Sequence, residues 1–238
     1  MKGRWLLVAL VLAGAGCGRK PETAKVVPDD GKRPLVLATT AWNPPYSYRD
    51  ETTGEIVGQD IDVARAAAVK LGRALEVRPM PFETMLAQVK GGTIDFAAAS
   101  ITVTPGRRKD VDFSHAYATD GSAFLYRAGE EAPTMVRVER MKLGTINGTV
   151  SDLYLCYHDL DPVRFDIYDE AVAALQAKRI DTLFYDAAPL RATAAKSGGL
   201  LKTTELETRE RYAVAVRKDM PELLRAVNAV LEEKGLAE

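Results

Sequence analysis

From Leu35 onward, short apolar segments alternate with segments that have the spacing of an amphipathic helix. The first set of candidates, in chain order, is the strand Leu35–Ala38, the helix Asp60–Leu71, the strand Leu75–Val77, the helix Phe82–Val89 and the strand Ile94–Ser100. The helix candidates carry apolar residues every three or four positions, whereas the strand candidates are short runs bounded by polar residues. This alternation predicts an α/β sheet that is largely parallel.

A second set of the same kind follows, so we expect two α/β units. Its segments are the strand Lys142–Ile146, the helix Val150–Tyr157, the strand Val163–Ile167, a helix Glu170–Lys178 capped by Asp169, and the strand Ile180–Tyr185. TIDFAAAS, ending at Ser100, and RIDTLFYD, ending at Asp186, echo each other. Because ligands in open α/β sheets bind beyond the carboxyl ends of strands, Ser100 and Asp186 are predicted to face a cleft.

Residues 1–17 are predicted to be a signal peptide that is not part of the fold. MKGRWLLVALVLAGAGC has a charged start, an apolar run from Trp5 to about Ala15, and small residues before Cys17. The run is too short to span a bilayer as a helix. Cys17 resembles the modified cysteine of a bacterial lipobox, although Gly14 stands where the lipobox usually has Leu. Lipidation of Cys17 is therefore expected, and an ordinary secretory signal with cleavage nearby is the alternative.

Residues 18–33 are polar, contain Pro and Gly, and show no periodicity. This composition predicts a flexible tether between membrane and domain, with a span of about 20 Å.

The charge balance and the few soft ligands exclude several classes of function. The 32 basic and 33 acidic side chains nearly cancel, which gives no support for nucleic-acid binding. The two cysteines are Cys17 and Cys156, so lipidation of the first leaves no disulfide. With two histidines besides, a zinc or copper site is not expected, and no cofactor is implied.

A cationic triplet follows the strand candidate that ends at Ser100. ITVTPGRRKD places Arg107, Arg108 and Lys109 directly after a Pro-Gly turn. Taken alone, such a triplet fits a basic patch, a solvated surface, or one arginine aimed at an anionic ligand.

Five segments resemble the polar amino-acid family of bacterial solute-binding proteins, the capture subunits of ABC importers. In order, they are GEIVGQDIDVARAAAVKLG, PFETMLAQVKGGTIDFAAAS, ITVTPGRRKDVDFSHAY, GTINGTVSDLYL and RIDTLFYDAAP, within a resemblance from Leu35 to Gly235. The resemblance implies an α/β fold like that of type II periplasmic binding proteins, in which two lobes joined by two hinge strands close around a ligand.

The resemblance also implies where the lobes begin and end. Lobe 1 is expected to be discontinuous, 34–116 and 215–238, with lobe 2 at 122–209 and hinges at 117–121 and 210–214. An extracytoplasmic monomer, in the periplasm or at the cell surface, would work with an ABC permease of the inner membrane.

The implied site is a clamp with two charged ends. In the family, the arginine after T-x-T-P-x holds the α-carboxylate of the ligand, and Arg107 has that position. A guanidinium meets a carboxylate with two parallel hydrogen bonds, which makes the assignment physically reasonable. Asp186 matches the acid that binds the ligand's ammonium group; the alternative is that Asp186 caps the following helix.

Four further positions complete the implied clamp. The Thr102 hydroxyl is expected on the ligand carboxylate, and the Ser100 carbonyl on its ammonium group. The amides of Thr149 and Val150, at the start of a helix, are expected on the carboxylate as well, since helix N-termini attract anions.

The side-chain pocket departs from the family pattern. Asn43 stands where an aromatic residue commonly covers the ligand, with Trp42 beside it, and Gln59 replaces the usual aromatic of G-F-D. Both amides favour a ligand with a polar side chain. Proteins of the family that bind arginine or lysine often have an acid at the position of Thr40, so Thr40 disfavours those two ligands. Trp42 and Tyr46 have a structural alternative, in which Tyr46 packs under the loop.

Three functions fit these residues. The first is capture of a polar α-amino acid and delivery to an ABC permease, without covalent chemistry. The second is an exported dehydratase acting on cyclohexadienyl acids, which needs a general acid that only Glu83 could supply. The third is a sensor domain that presents its closed form to a membrane receptor.

Overall fold

The computed structural model describes residues 33–238, and it has two α/β lobes, each with a five-stranded sheet. The predicted signal peptide, Cys17 and residues 18–32 of the predicted tether lie outside the described residues. The strands, in chain order, are β1 (Leu35–Thr39), β2 (Trp42–Asn43), β3 (Ser47–Arg49), β4 (Ile56–Val57), β5 (Leu75–Pro79), β6 (Phe96–Ala97), β7 (Asp112–Asp120), β8 (Ser122–Arg127), β9 (Leu143–Ile146), β10 (Val163–Phe165), β11 (Thr182–Asp186), β12 (Leu201–Thr203) and β13 (Glu210–Val216).

The α-helices of the described region are α1 (Gln59–Lys70), α2 (Phe82–Lys90), α3 (Val150–Tyr157), α4 (Tyr168–Gln176), α5 (Ala187–Lys196) and α6 (Pro221–Glu233). Short 3-10 turns occur at Arg107–Lys109 and Val138–Arg140. No helix between residues 33 and 238 is long and apolar enough to cross a membrane.

Each sheet is mixed rather than largely parallel. In the first lobe the order is β5-β1-β6-β13-β7, with β1 parallel to β5 and β6, and β13 antiparallel to β6 and β7. In the second lobe the order is β10-β9-β11-β8-β12, with β9 parallel to β10 and β11, and β8 antiparallel to β11 and β12. β13 is antiparallel because it returns from the other lobe without a helical crossover. The two-lobed α/β fold expected from the sequence is confirmed.

Both faces of the first sheet are buried at β1, an interior strand, which explains why its first four residues are a continuous apolar run. Leu35 and Leu37 of β1 pack in a core with residues of α1 and α6. Val36 and Ala38, which alternate with them, pack on the opposite face with residues of α2. The carboxyl end of β1 therefore emerges from a rigid, two-sided core toward the second lobe.

Two chain segments connect the lobes. β7 passes through Gly121 into β8, and the loop after β12 leads through Thr208 into β13. A Cβ atom at Gly121 would overlap the carbonyl oxygen of Thr208, so the two connections touch at a point where only glycine fits. The segments predicted as hinges, 117–121 and 210–214, lie at the end of β7 with Gly121 and at the start of β13.

Candidate ligand-binding site

The predicted clamp residues come from both lobes and meet where strands of the two sheets end. Ser100 follows β6 and Asp186 closes β11, while Thr149 follows β9 and is the N-cap of α3. The turn that carries Arg107 follows Ser100 along the chain and reaches the second lobe. Polar groups at strand ends of both sheets therefore meet where the two lobes are in contact, which is where ligands bind in open α/β folds.

Arg107 is held in place by backbone carbonyls of both lobes. Its Nη1 donates to the Thr102 carbonyl at 2.9 Å, and its Nη2 lies 3.4 Å from the Gly148 carbonyl in the second lobe. The guanidinium lies over the Phe82 ring, with Cζ 5.0 Å from the ring centroid. Burial lowers the pKa of Arg107, and the negative charges of Asp186 and Glu210 oppose that shift.

The neighbouring cations have a different environment. Arg108 and Lys109 are exposed on the same turn, as expected of solvated surface charges. The Arg108 guanidinium lies over the Phe113 ring, with Cζ 5.7 Å from the ring centroid. Arg107 is thus the member of the triplet that is turned toward the second lobe.

Asp186 is a buried carboxylate, 7% exposed, at the end of β11. Burial raises its pKa well above the ordinary value, and the charges of Glu210 and Asp120 raise it further, whereas Arg107 and Asn43 lower it. Asp186 occupies the residue position before α5, yet its side chain makes no capping hydrogen bond. The capping alternative therefore lacks the contact that would explain this acid.

Asn43 connects Asp186 to the first lobe. The Asn43 amide is fully buried and donates from Nδ2 to the Ser100 hydroxyl at 2.9 Å, and to Oδ2 of Asp186 at 3.5 Å. Ser100 itself has a left-handed backbone conformation, with φ of 51°, which is costly for a non-glycine residue and typical of binding sites. An amide, an acid and a strained backbone turn thus meet at one end of the cleft.

The start of α3 forms the opposite wall. Thr149 caps the helix, because its Oγ1 accepts from the Asp152 amide at 3.2 Å and donates to the Ile146 carbonyl at 2.7 Å. The amides of Thr149 and Val150 donate to no acceptor among residues 33–238. Two free N–H groups at a helix N-terminus can donate hydrogen bonds to a carboxylate.

The Thr102 hydroxyl, which was expected to contact the ligand carboxylate, bonds to a protein side chain instead. It donates to Oε2 of Glu210 at 2.5 Å, while the Thr102 carbonyl accepts from Arg107. Thr102 therefore contacts the clamp through its backbone, and its side chain is directed to the strand that returns from lobe 2.

Of the residues predicted to line the pocket, Trp42 lies between the lobes and Tyr46 in a core. Trp42 is partly buried against the apolar core of the second lobe. Tyr46 packs in the first core, edge-on to Tyr117 at 6.1 Å and Tyr212 at 5.6 Å between ring centroids. Its packing matches the structural alternative, and burial raises its pKa to about 12. Gln59 is the first residue of α1, which follows this loop along the chain.

Buried side-chain polar atoms without a hydrogen-bond partner occur at the predicted site and in the neighbouring first core. Within the described residues they are Trp42 Nε1, Asn43 Oδ1, Gln59 Nε2, both Asp60 carboxylate oxygens and the hydroxyls of Tyr117 and Tyr212. Burial raises the pKa of Asp60 to about 6, although the nearby Tyr117 and Ser47 hydroxyls and the Ser100 amide act in the opposite direction. Unpaired buried polar groups are costly, so they mark where a polar ligand or water completes the hydrogen bonding.

Several residues at this site carry no sequence signal of their own. Phe82 under Arg107 resembles any apolar residue at a helix start, and Glu210 resembles any acid at a strand start. Asp120, which pairs with Arg191 at 3.2 Å, is equally inconspicuous. Their roles follow from contacts between distant parts of the chain, which a local pattern cannot reveal.

The family model for bacterial extracellular solute-binding proteins, family 3, matches residues 35–234. The chain belongs to this family. This solute-binding protein is 26% identical over 220 residues to the glutamine-binding protein of an ABC transporter of Bacillus subtilis, covering 90% of this chain and 80% of the relative. The resemblance stated from the sequence is confirmed.

Solved structures agree with this assignment. The holo form of ArgBP from T. maritima superposes with a TM-score of 0.79 at 31% identity, covering 84% of this chain and 90% of that one. An ancestral arginine-binding protein bound to glutamine has a TM-score of 0.79 at 33% identity, covering 86% of this chain and 92% of that one.

The two lobes of this solute-binding protein are in contact. Besides the bonds of Arg107 and Asn43, the backbone of Gly148 in lobe 2 packs against Glu83 of lobe 1. At the cleft mouth, Lys196 Nζ lies 2.6 Å from a carboxylate oxygen of Glu51. The two lobes therefore touch through residues at and around the predicted site.

Proposed function

We propose that this protein captures a polar α-amino acid between its lobes and delivers it to an ABC importer. The observation that carries the proposal is a pair of oppositely charged side chains between the lobes, the half-buried Arg107 and the buried Asp186, whose charges act on each other. A free amino acid is a zwitterion, so both of its charges lose water on binding and both need a partner. The relatives named for glutamine and arginine bind ligands of this class.

We assign the carboxylate end of the ligand to lobe 1 and to the start of α3. The guanidinium of Arg107 presents a fork of donors, and the amides of Thr149 and Val150 add further N–H groups. Because these groups belong to different lobes, a carboxylate that contacts all of them favours the closed state. The Thr102 carbonyl fixes the orientation of the guanidinium from behind.

The ammonium end is assigned to Asp186, with the Ser100 carbonyl and Asn43 beside it. Asn43 Oδ1 is a buried acceptor without a partner, and an ammonium group offers three donors. The ligand side chain would then lie near Trp42 and Gln59, whose unpaired nitrogens favour polar atoms.

We propose that no covalent step occurs. A dehydratase would need a general acid close to a leaving hydroxyl group. Asp186 is committed to the ammonium group, and Glu83 is exposed at the cleft edge, packed along Gly148. A sensor domain would use the same capture residues, and a permease gene beside this one would favour transport.

The location and the chain boundaries are also proposals. Residues 1–17 would be a signal peptide processed at Cys17, whose acylation would anchor a monomer to the membrane through the 18–33 tether. Mass spectrometry of the membrane fraction tests this: a lipid-modified Cys17 peptide is expected, and an unmodified N-terminus further along the chain would contradict it.

The proposed lobe division keeps the boundaries given by the sequence. Lobe 1 would comprise 34–116 and 215–238, lobe 2 would comprise 122–209, and rotation would occur at 117–121 and 210–214. The first connection between the sheets, at Gly121, lies in the segment 117–121, and the second, through Thr208, directly precedes the segment 210–214, which supports that division.

A thermal-shift screen of the twenty common L-amino acids and L-cystine tests the function, using the soluble part from about residue 28. A ligand at one hundred times its Kd should raise the free energy of unfolding by about 2.7 kcal/mol. Trp42 is then the sole tryptophan, because the other one, Trp5, precedes this part, and its fluorescence should change on binding. Arg107→Ala should abolish the response, whereas Arg108→Ala, with an exposed arginine on the same turn, should keep it.

Absence of any stabilising amino acid would refute the proposed function. A normal response of Arg107→Ala would refute the site while leaving the function intact. Turnover of a cyclohexadienyl acid would establish the enzyme instead.

A further inference from the structure

Glu210, the first residue of β13, has a carboxylate that is buried and fully engaged although it is outside the proposed ligand contacts. It is 4% exposed, and it accepts hydrogen bonds from three hydroxyl groups. Thr102 donates to Oε2 at 2.5 Å, while Ser122 and Thr208 donate to Oε1 at 2.9 Å and 2.7 Å. A buried carboxylate needs such donors, because it loses its water on folding.

The three donors come from different parts of the molecule. Thr102 belongs to the first lobe, on the segment between β6 and Arg107, and bridges to β13 through Tyr212. Ser122 begins β8 in the second lobe, and Thr208 lies in the loop that leads back from it. Glu210 therefore connects the two lobes at the point where both chain segments cross between them.

The hydrogen bonds continue on both sides of Glu210. Ser122 shares a hydrogen bond of 2.8 Å with Ser151 in the first turn of α3, and both serines are fully buried. On the other side, the Thr102 carbonyl accepts from the guanidinium of Arg107. An unbroken series of contacts thus runs from Arg107 through Thr102, Glu210 and Ser122 to Ser151.

The two ends of this series are the two sides of the assigned carboxylate site. Arg107 is one side, and Ser151 directly follows the free amides of Thr149 and Val150 on the other. A ligand carboxylate bound to both sides would complete a ring of hydrogen-bonded groups. A carboxylate suits the central position, because two oxygens can accept several hydroxyl groups at once.

A purely local explanation of Glu210 is less satisfactory. The residue adds a negative charge close to Asp186 and contributes to the upward shift of that acid's pKa. A neutral residue at the start of β13 would not repel the carboxylate of Asp186. The charge is compensated only by hydroxyl donors from both lobes and by the nearby Arg107.

We propose that Glu210 is a positioning residue that holds the Arg107 turn of lobe 1 and the α3 N-terminus of lobe 2 at the separation that a ligand carboxylate requires. The inference rests on the proposed function, since it concerns the same site. According to this inference, the hinge affects the affinity for the ligand as well as the rotation of the lobes.

Binding kinetics test this proposal on the full chain, with each of the twenty common L-amino acids and L-cystine as probes. For a probe that binds the wild type, Ser122→Ala and Glu210→Leu should raise koff about tenfold or more and change kon less than threefold. The reason is that the series stabilises the closed state, whereas encounter involves the open one. Glu210→Gln, which keeps one acceptor oxygen, should lie between Glu210→Leu and the wild type.

Glu207→Gln is the matched control, because Glu207 is exposed in the loop just before β13. It should leave koff unchanged. Urea unfolding of each variant establishes that it is folded before the rates are compared.

A double-mutant cycle separates positioning from simple structural support. The Thr102 and Ser151 hydroxyls bond to Glu210 and Ser122 respectively, and not to each other. Thr102→Val and Ser151→Ala should therefore change Kd non-additively, by at least threefold, if Glu210 and Ser122 connect them. In the Glu210→Leu background this coupling should disappear.

The outcomes are distinct. If no probe binds the wild type, the proposed function fails and the inference fails with it. If probes bind but the variants lose only stability, with unchanged koff and additive Kd changes, the function stands and the inference is overturned.

Discussion

Replacing Asp186 with asparagine should affect binding and stability in opposite directions. Asn has nearly the same shape and can still meet the Asn43 side chain, but it carries no charge for a ligand ammonium group. Removing one partner of a buried ion pair costs about 3–5 kcal/mol, so Kd should rise by roughly two to more than three orders of magnitude. Asp186 is 7% exposed, which justifies the buried value over the small surface value.

The ligand-free Asp186→Asn protein should be at least as stable as the wild type at pH 8. Burial and neighbouring acids raise the pKa of Asp186, so its ionised form costs stability above the pKa of the unfolded chain. A neutral amide removes this cost, and its advantage should shrink as the pH falls and Asp186 takes up a proton. Thermal unfolding and titration calorimetry at pH 5 to 8 measure both effects.

Asp169→Asn serves as the control, since Asp169 is an exposed acid at the start of α4. It should leave affinity unchanged. An Asp186→Asn variant that binds within threefold of the wild type would refute the assignment of the ammonium group. A variant that loses binding and also unfolds more easily at pH 8 would refute the electrostatic reasoning.

Three further changes should have defined effects. Arg107→Lys keeps the charge but loses the planar fork, so affinity for the ligand should fall about tenfold or more. Titration calorimetry measures the affinity, and an equal loss in Arg108→Lys would contradict the assignment. In the wild type, the raised pKa of Asp60, about 6 against 3.8, should lower the free energy of unfolding by about 3 kcal/mol as the pH rises from 4 past 6. Asp60→Asn should flatten that slope in urea unfolding, and an unchanged slope would mean that another group titrates. Gly121→Ala should destabilise the protein, because its Cβ would overlap the Thr208 carbonyl; a melting temperature equal to that of the wild type would contradict the tight hinge contact.

The sequence predicted the elements well where periodicity was strong and poorly at their ends. The helix predicted at Val150–Tyr157 has those bounds in the structure. The helix predicted to begin after an Asp169 cap instead begins at Tyr168, so that Asp169 lies in its first turn. The strand expected over Ile94–Ser100 is regular only at Phe96–Ala97, because the chain turns into the cleft at Ser100 with a left-handed backbone.

In the candidate site as well, some residues have a signal in the nearby sequence, whereas others are placed by contacts with distant parts of the chain. Arg107 and Asp186 are indicated by the resemblance of their segments to the family, and Asp186 also by its place at a strand end. Glu210 gains its role from Thr102, which is 108 residues away, and no local pattern contains that information. Tyr46 lies in a recognisable loop, but whether it faces a ligand or the core depends on Tyr117 and Tyr212.

The ion pair between Lys196 and Glu51 bridges the mouth of the cleft, yet its side chains are 70% and 81% open to water. Dissolved salt screens such a pair, and it is worth no more than about 1 kcal/mol. Added salt should therefore weaken this contact without much effect on how tightly the two lobes hold together.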